Sequence, residues 1–161
     1  MSRVATKACD NIFYLARFNA ATHNERLSSR EGAAEELGMD RNRLAKIELD
    51  LINPYPEEVK MMATEYNAPE LENYFCREIC PLGSNVPKAD IEDLDRITVR
   101  AMAAFRKLDI TKQELLDVAA DGQVSEEEES RVLNILDDLQ ELEEVAQSFR
   151  LWIKKNLGGE V

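Results

Sequence analysis

The chain has 161 residues, 44% of them hydrophobic and 6% aromatic, with 20 Lys+Arg against 32 Asp+Glu for a formal net charge of -12. That apolar content excludes a wholly disordered chain, and the shortage of aromatics, with 6 Gly and 5 Pro, argues against a many-stranded β architecture, so an all-α protein is expected. Taken whole, the charge also argues against nucleic acid, because affinity for DNA rests largely on Lys and Arg displacing phosphate counterions.

In chain order, Ile12, Leu15, Ala16 and Phe18 predict a first helix with one apolar face, ending near Ala20, followed by a loop over 21–27. Ser29 is a candidate N-cap for a second helix over 30–37, and Gly38 supplies the positive φ that lets the chain turn sharply. Asp40 is the expected N-cap of a third helix, in which Leu44 and Ile47 face the core while Arg41, Asn42, Arg43 and Lys46 lie off that face. Asn53-Pro54 ends it, a fourth helix runs over 56–66 with Val59, Met62 and Ala63 inward, and a short fifth starts after Pro69.

Charge is unevenly spread along the chain. Residues 1–82 carry 10 basic and 14 acidic side chains and residues 83–161 carry 10 and 18, yet residues 1–47 alone hold 8 basic and 6 acidic, net +2. A basic patch therefore sits inside an acidic chain. Two short helices joined by a Gly turn, the second offering Arg, Asn, Arg and Lys at its exposed start, is an arrangement that places side chains in a major groove. Arg can bond guanine O6 and N7 together, Asn can do the same on adenine, and Lys46 suits a phosphate.

The stretch Leu27-Ser28-Ser29-Arg30-Glu31-Gly32-Ala33-Ala34-Glu35-Glu36-Leu37-Gly38-Met39-Asp40-Arg41-Asn42-Arg43-Leu44-Ala45-Lys46-Ile47-Glu48 resembles the phage-repressor (Xre) helix-turn-helix family, and Asn53-Pro54 fits it too. The resemblance covers roughly residues 10–76. It implies that Ala34, Gly38, Met39, Leu44, Ile47 and Glu48 form the scaffold and that Arg41, Asn42, Arg43 and Lys46 contact double-stranded DNA. Two departures stand out. Arg30 occupies a position that is often Gln in the family, where it is expected to hold a phosphate, and Leu49-Asp50 replaces the usual Arg-Gly, which removes one backbone-binding charge and brings Asp50 near the duplex.

Cys80-Pro81-Leu82-Gly83-Ser84-Asn85-Val86-Pro87 interrupts helical periodicity, so the domains are drawn as 1–80, a linker at 81–88, and an acidic helical domain at 89–161. Ile91, Leu94, Thr98, Ala101, Phe105 and Leu108 predict a helix over 89–107. Thr111 and Glu114 have capping-box spacing for a short helix that Asp121-Gly122 stops. Ser125 and Glu128 form a second such box, after which Val132, Ile135, Leu139, Leu142, Ala146, Phe149 and Ile153 repeat as a heptad seam closed by Gly158-Gly159. This long terminal helix exceeds what a small domain needs, and the expectation is a helical hairpin or bundle that dimerises through Leu136, Leu139, Leu142, Val145, Phe149 and Trp152; an intramolecular three-helix bundle is the alternative. Cys76, Cys80-Pro81-Leu82-Gly83, Ala120-Asp121-Gly122-Gln123-Val124 and Leu151-Trp152 also resemble repressor-like proteins of Gram-positive bacteria and their mobile elements.

Other signals point elsewhere with less force. Asp117, Asp121, Gly122, Val124, Ser125 and Glu128 fall on a calcium-loop spacing, but Ala119 removes an oxygen ligand. Cys76 and Cys80 are one helical turn apart, while Cys9 and His23 have no motif spacing to them, so buried free thiols are expected rather than zinc. No catalytic set appears, and neither a metal nor another cofactor is expected. No run approaches the roughly 20 apolar residues of a membrane span, and Met1-Ser2-Arg3-Val4-Ala5-Thr6-Lys7 lacks the apolar core of a signal peptide, so a cytoplasmic protein is expected. The sequence thus predicts a homodimeric, sequence-specific repressor rather than an enzyme. The competing expectation is an antitoxin-like or adaptor protein that binds another protein through its acidic helical half.

Overall fold

The computed structural model describes residues 8–120 and 122–158, and every regular element among them is helical. The chain divides into two compact units, 1–86 and 87–161. No helix among the described residues is long and apolar enough to cross a membrane.

The first unit holds α1 (Ile12–Ala20), α2 (Arg30–Leu37), α3 (Arg41–Glu48), α4 (Pro56–Glu65) and α5 (Glu70–Tyr74). The loop expected over 21–27 contains a 3-10 turn, Glu25–Ser28, that buries Leu27. Phe13, Leu27, Ala33, Leu37, Leu44, Ile47, Val59, Met62 and Leu71 belong to one core. Helix α1 enters it in a different phase from the expected one: Phe13, Tyr14, Ala16 and Arg17 are buried, whereas Leu15 is 40% exposed.

Burial of Arg17 explains that phase. Glu48, at the last position of α3, is fully buried and accepts hydrogen bonds from Arg17 Nε at 2.5 Å and Nη2 at 3.0 Å, and from Arg30 Nε at 2.5 Å. Arg17 Nη1 donates to the Leu27 carbonyl at 2.8 Å, so α1, α2 and α3 meet at one carboxylate and the 3-10 turn is tied to it through Arg17. A second polar tie lies nearby. Asn11 caps α1 by accepting the Tyr14 N–H, and its Nδ2 donates to Ile47 O at 2.9 Å and Asp50 Oδ1 at 2.7 Å. Asp50 has φ +56°, a left-handed conformation that Gly adopts most easily and that Asp tolerates.

The segment expected to be a linker is partly built into this unit. A π-helical turn at Phe75–Ile79 follows α5, and a 3-10 turn at Gly83–Asn85 packs on it. A Cβ on Gly83 would sit 2.0 Å from the Cys76 carbonyl oxygen, so this close approach admits only glycine, and the boundary falls after Val86. The thiols are not buried as expected: Cys9 and Cys76 are exposed and Cys80 is half-buried, all three reduced.

In the second unit, α6 (Leu94–Val118) and α7 (Glu129–Leu157) pack together. The pairings Arg100 with Glu144, Lys107 with Glu141, Thr111 with Asp138 and Asp117 with Arg131 descend along α7 as they ascend α6, which defines an antiparallel hairpin. The helix expected over 89–107 and the short helix expected after Thr111 are one continuous helix beginning at Leu94. No Gly or Pro interrupts this stretch, and extending a helix costs less than nucleating a new one. Thr111 is therefore not a cap. It is buried, and its hydroxyl lies 3.0 Å from Lys107 O and donates to Asp138 Oδ2 at 2.6 Å.

Helix α7 also starts later than expected. Ser125 and Glu128 form a turn in which the Glu128 carboxylate accepts the Ser125 N–H at 3.0 Å and its hydroxyl at 2.7 Å, and the helix begins at Glu129. Its C-cap is Gly158, φ +65°; Asp121 and Gly159, named above as parts of stop signals, lie outside the described residues. Of the expected heptad Ile135 is buried, Val132, Leu142 and Ile153 are half-buried, and Leu139, Ala146 and Phe149 are exposed; the other buried positions of α7 are Val145, Ser148 and Leu151. Ser148 turns inward because its Oγ accepts the Asp90 N–H at 3.3 Å.

Replacing Glu48 with Ala leaves two guanidinium groups facing a buried site without their counter-charge. The expected outcome is a loss of about 3–5 kcal/mol in the chemical-denaturation stability of the first unit, whereas Leu15→Ala on the exposed face of α1 changes it by less than about 1 kcal/mol.

Candidate nucleic-acid interface

Three local choices in the sequence build the unit formed by α2 and α3. Ser29 caps α2 by accepting the Gly32 N–H at 3.0 Å. Gly38, at φ +60° and ψ +32°, ends α2 in the left-handed conformation, and its amide and that of Met39 close the helix on Glu35 O and Ala34 O. Asp40 then caps α3 by accepting the Arg43 N–H at 2.9 Å. Leu37, Leu44 and Ile47 are buried between these helices and the rest of the core, which turns the opposite face of α3 to solvent.

On that face Arg41, Asn42 and Lys46 are exposed, and their side chains have no hydrogen-bond or ion-pair partner among the described residues. They are free to meet a ligand. Arg30 and Arg43, grouped with them from sequence, are committed differently. Arg30 is drawn to Glu48, with 27% of its side chain exposed and its Nη2 buried without a partner among the described residues. Two guanidinium groups share one carboxylate there, while Glu31 adds an exposed carboxylate to the first turn of α2.

Arg43 is held by α4. Its Nε and Nη2 both donate to the Glu58 carboxylate, the latter at 2.8 Å, and its guanidinium carbon lies 4.2 Å from the Tyr55 ring centroid. Glu58 also accepts the Tyr55 N–H at 2.7 Å. The Arg43 bonds hold the Glu58 carboxyl below its ordinary value, against the opposing effect of burial, and the same bonds raise Arg43. Glu58, Tyr55, Arg17 and Asn11 were not singled out from the sequence. For Glu58 a local signal existed, a Glu at the third position of a helix opened by Pro56, which is capping-box spacing. For Arg17 there was none.

The remaining basic residue of this region, Arg26, is paired with Glu35 at 3.0 Å and Glu36 at 2.8 Å. No group of three or more metal-ligating side chains occurs among the described residues. Of the calcium-loop spacing, Asp121 lies outside the described residues, and Glu128 is engaged by Ser125.

The expected partner surface on the second unit is redistributed. Val145 is 5% exposed and belongs to the core of the hairpin itself, because the register of α7 turns it toward α6. Leu136, Leu139 and Phe149 are exposed, Leu142 and Trp152 half-buried, and Phe149 and Trp152 stack with centroids 6.3 Å apart. Helix α6 adds exposed Leu94, Val99, Met102, Phe105 and Leu116. Comparisons of the chain with protein-family models, with curated proteins and with solved structures found no match.

Because the folded-state value of Glu58 lies below its ordinary 4.5, the stabilisation from its pairing with Arg43 is fully present above that value and is lost as pH falls through the depressed one. A carbon-detected NMR titration of the side-chain carboxyls is expected to place the Glu58 midpoint below 4.5, and Arg43→Ala to move it upward; an unmoved midpoint would contradict the pairing.

Proposed function

We propose that the chain is a sequence-specific DNA-binding transcriptional regulator, of the phage-repressor helix-turn-helix type, that acts as a dimer with α3 in the major groove. One observation carries this reading: α3 presents Arg41, Asn42 and Lys46 unpaired and exposed beside a positioned Arg43, in a chain whose other basic groups in this region are committed to intramolecular pairs. The positions that the resemblance assigns to the scaffold support it, since Ala34, Leu44, Ile47 and Glu48 are all buried and Gly38 is left-handed. Arg30, part of whose side chain is exposed at the start of α2, suits a phosphate, because a helix N-terminus and a guanidinium both favour an anion.

A repressor is the simplest regulator of this kind, because occupying an operator needs no further surface. One short helix reads few bases, whereas a two-fold dimer reads two half-sites about one helical turn apart. The hairpin supports the dimer. Two packed helices bury one seam, and the apolar side chains left outside it, Leu136, Leu139 and Phe149 on α7 and Met102 and Phe105 on α6, favour a protein partner. A second copy is the partner proposed. The same exposed residues in an acidic half favour the second reading, an adaptor or antitoxin-like protein whose partner is a different chain. The protein is read as cytoplasmic and non-enzymatic under either proposal.

Substituting Arg41, Asn42 and Arg43 together with Ala is expected to weaken binding to a selected duplex by at least about 100-fold with helicity unchanged. Wild-type affinity should fall steeply between low and moderate salt in fluorescence anisotropy, and a flat response would favour the adaptor. In sedimentation equilibrium the wild type is expected to be dimeric at micromolar concentration and the Leu139→Glu, Phe149→Glu double variant monomeric; a monomeric wild type would remove the dimer.

A further inference from the structure

Arg43 raises a question that the proposed function leaves open: what a recognition-helix arginine does when its charge is already paired. A guanidinium has two edges that can form parallel bonds. The side-on edge is made by Nε and one hydrogen of Nη2, and the end-on edge by Nη1 and the other hydrogen of Nη2. Glu58 takes the side-on edge, through both Nε and Nη2. The end-on edge makes no bond to Glu58; the Tyr55 side chain is a further, weaker hydrogen-bond partner of the guanidinium, and 27% of the Arg43 side chain remains exposed.

The rest of the assembly is fixed from several sides. The Glu58 side chain is 11% exposed and is itself anchored by the Tyr55 N–H. The Tyr55 ring lies against the guanidinium, and the Arg43 backbone N–H is bonded to Asp40. An unsupported arginine samples many rotamers and can turn either edge to a phosphate or to any acceptor in the groove. Arg43 is restricted to one edge in one place, as recognition of two adjacent acceptors requires. In the major groove, two acceptors side by side on one base, O6 and N7, are offered by guanine.

We propose that Glu58 is a positioning and specificity-determining residue, which holds Arg43 side-on so that the end-on edge, which Glu58 does not take, reads one guanine in each half-site. The proposal rests on the DNA-binding reading above. It separates two kinds of arginine on one helix: Arg41, exposed and unpaired among the described residues, and Arg43, clamped and selective. Glu58 itself touches no base; it acts through Arg43.

The test is selection of binding sites from a randomised duplex pool with the full chain, for wild type, Glu58→Gln, Glu58→Asp, Arg43→Ala and the Arg43→Ala, Glu58→Gln double variant, each checked by thermal melting. The wild type is expected to select a guanine at one position of each half-site, and Arg43→Ala to lose that preference while keeping the others. Glu58→Gln offers one acceptor oxygen and an NH2 group where two acceptors are needed, and Glu58→Asp is one methylene too short to reach the guanidinium from α4. Each should reduce the preference at that single position about tenfold and leave the rest of the site unchanged. In the Arg43→Ala background, Glu58→Gln should have no further effect. If one Glu58 variant fails to melt cooperatively, the other still reports on the position.

Three results would overturn the proposal. Undiminished guanine preference in a folded Glu58 variant would show that Arg43 needs no clamp. A uniform loss across all positions would assign Glu58 a structural role, and a gain in affinity would make it a competitor of DNA for Arg43. Failure of wild type to enrich any duplex would instead remove the DNA-binding reading itself, and the proposal with it.

Discussion

The carboxylate of Glu48 is fully buried, and the first unit is organised around the need to neutralise it. An isolated charge in that position costs several kcal/mol, and attraction to a counter-charge offsets the cost only when the geometry is good. Arg17 from α1 and Arg30 from α2 supply it, and Arg17 spends its remaining nitrogen on the Leu27 carbonyl. Apolar contacts at Leu44 and Ile47 hold α3 against the core but are tolerant of small shifts, whereas a carboxylate can sit only where its two guanidinium partners reach it. The triad thus sets where α3 ends, and Asp40 and Gly38 set where it begins. The orientation of its exposed face follows from those two constraints.

That constraint also changes what the basic patch means. Of the basic side chains between α1 and the end of α3, Arg17 and Arg30 serve the triad, Arg26 pairs with Glu35 and Glu36, and Arg43 pairs with Glu58. Among the described residues, the basic side chains of this stretch are therefore mostly committed to pairs and do not form a diffuse positive surface. Arg41 and Lys46 are the uncommitted members within α3. A strongly acidic chain can present such a site because long-range repulsion from distant carboxylates is screened over a Debye length of roughly 10 Å, while contact with a phosphate is local.

The second unit obeys simpler rules and resisted prediction for the same reason. Capping-box letters at Thr111 and Glu114 describe a plausible helix start, yet nothing stops the helix arriving from Leu94, and propagation overrides the local signal. Thr111 then becomes a buried polar contact between α6 and α7 through Asp138. On α7 both a heptad through Leu139 and Phe149 and a neighbouring face through Val145, Ser148 and Leu151 are compatible with a helix. The polar partner of Ser148, contributed by Asp90, goes with the second. Choosing the second face leaves Leu139 and Phe149 outside.

Sequence by itself determined the local events: the all-helical class, the caps at Ser29 and Asp40, the left-handed exit at Gly38, and the exposed Arg41, Asn42 and Lys46. Each depends on one or a few neighbouring residues, and their physical signatures are written in short stretches of chain. Tertiary structure decided everything that joins distant residues. Arg17 and Glu48 are separated by 31 positions and Arg43 and Glu58 by 15, and no periodicity links either pair. A charged residue in a helix reads as solvent-facing until its counter-charge is placed beside it, as Arg17 and Arg43 show, and the face of α7 that Val145 occupies is decided by the register of the hairpin.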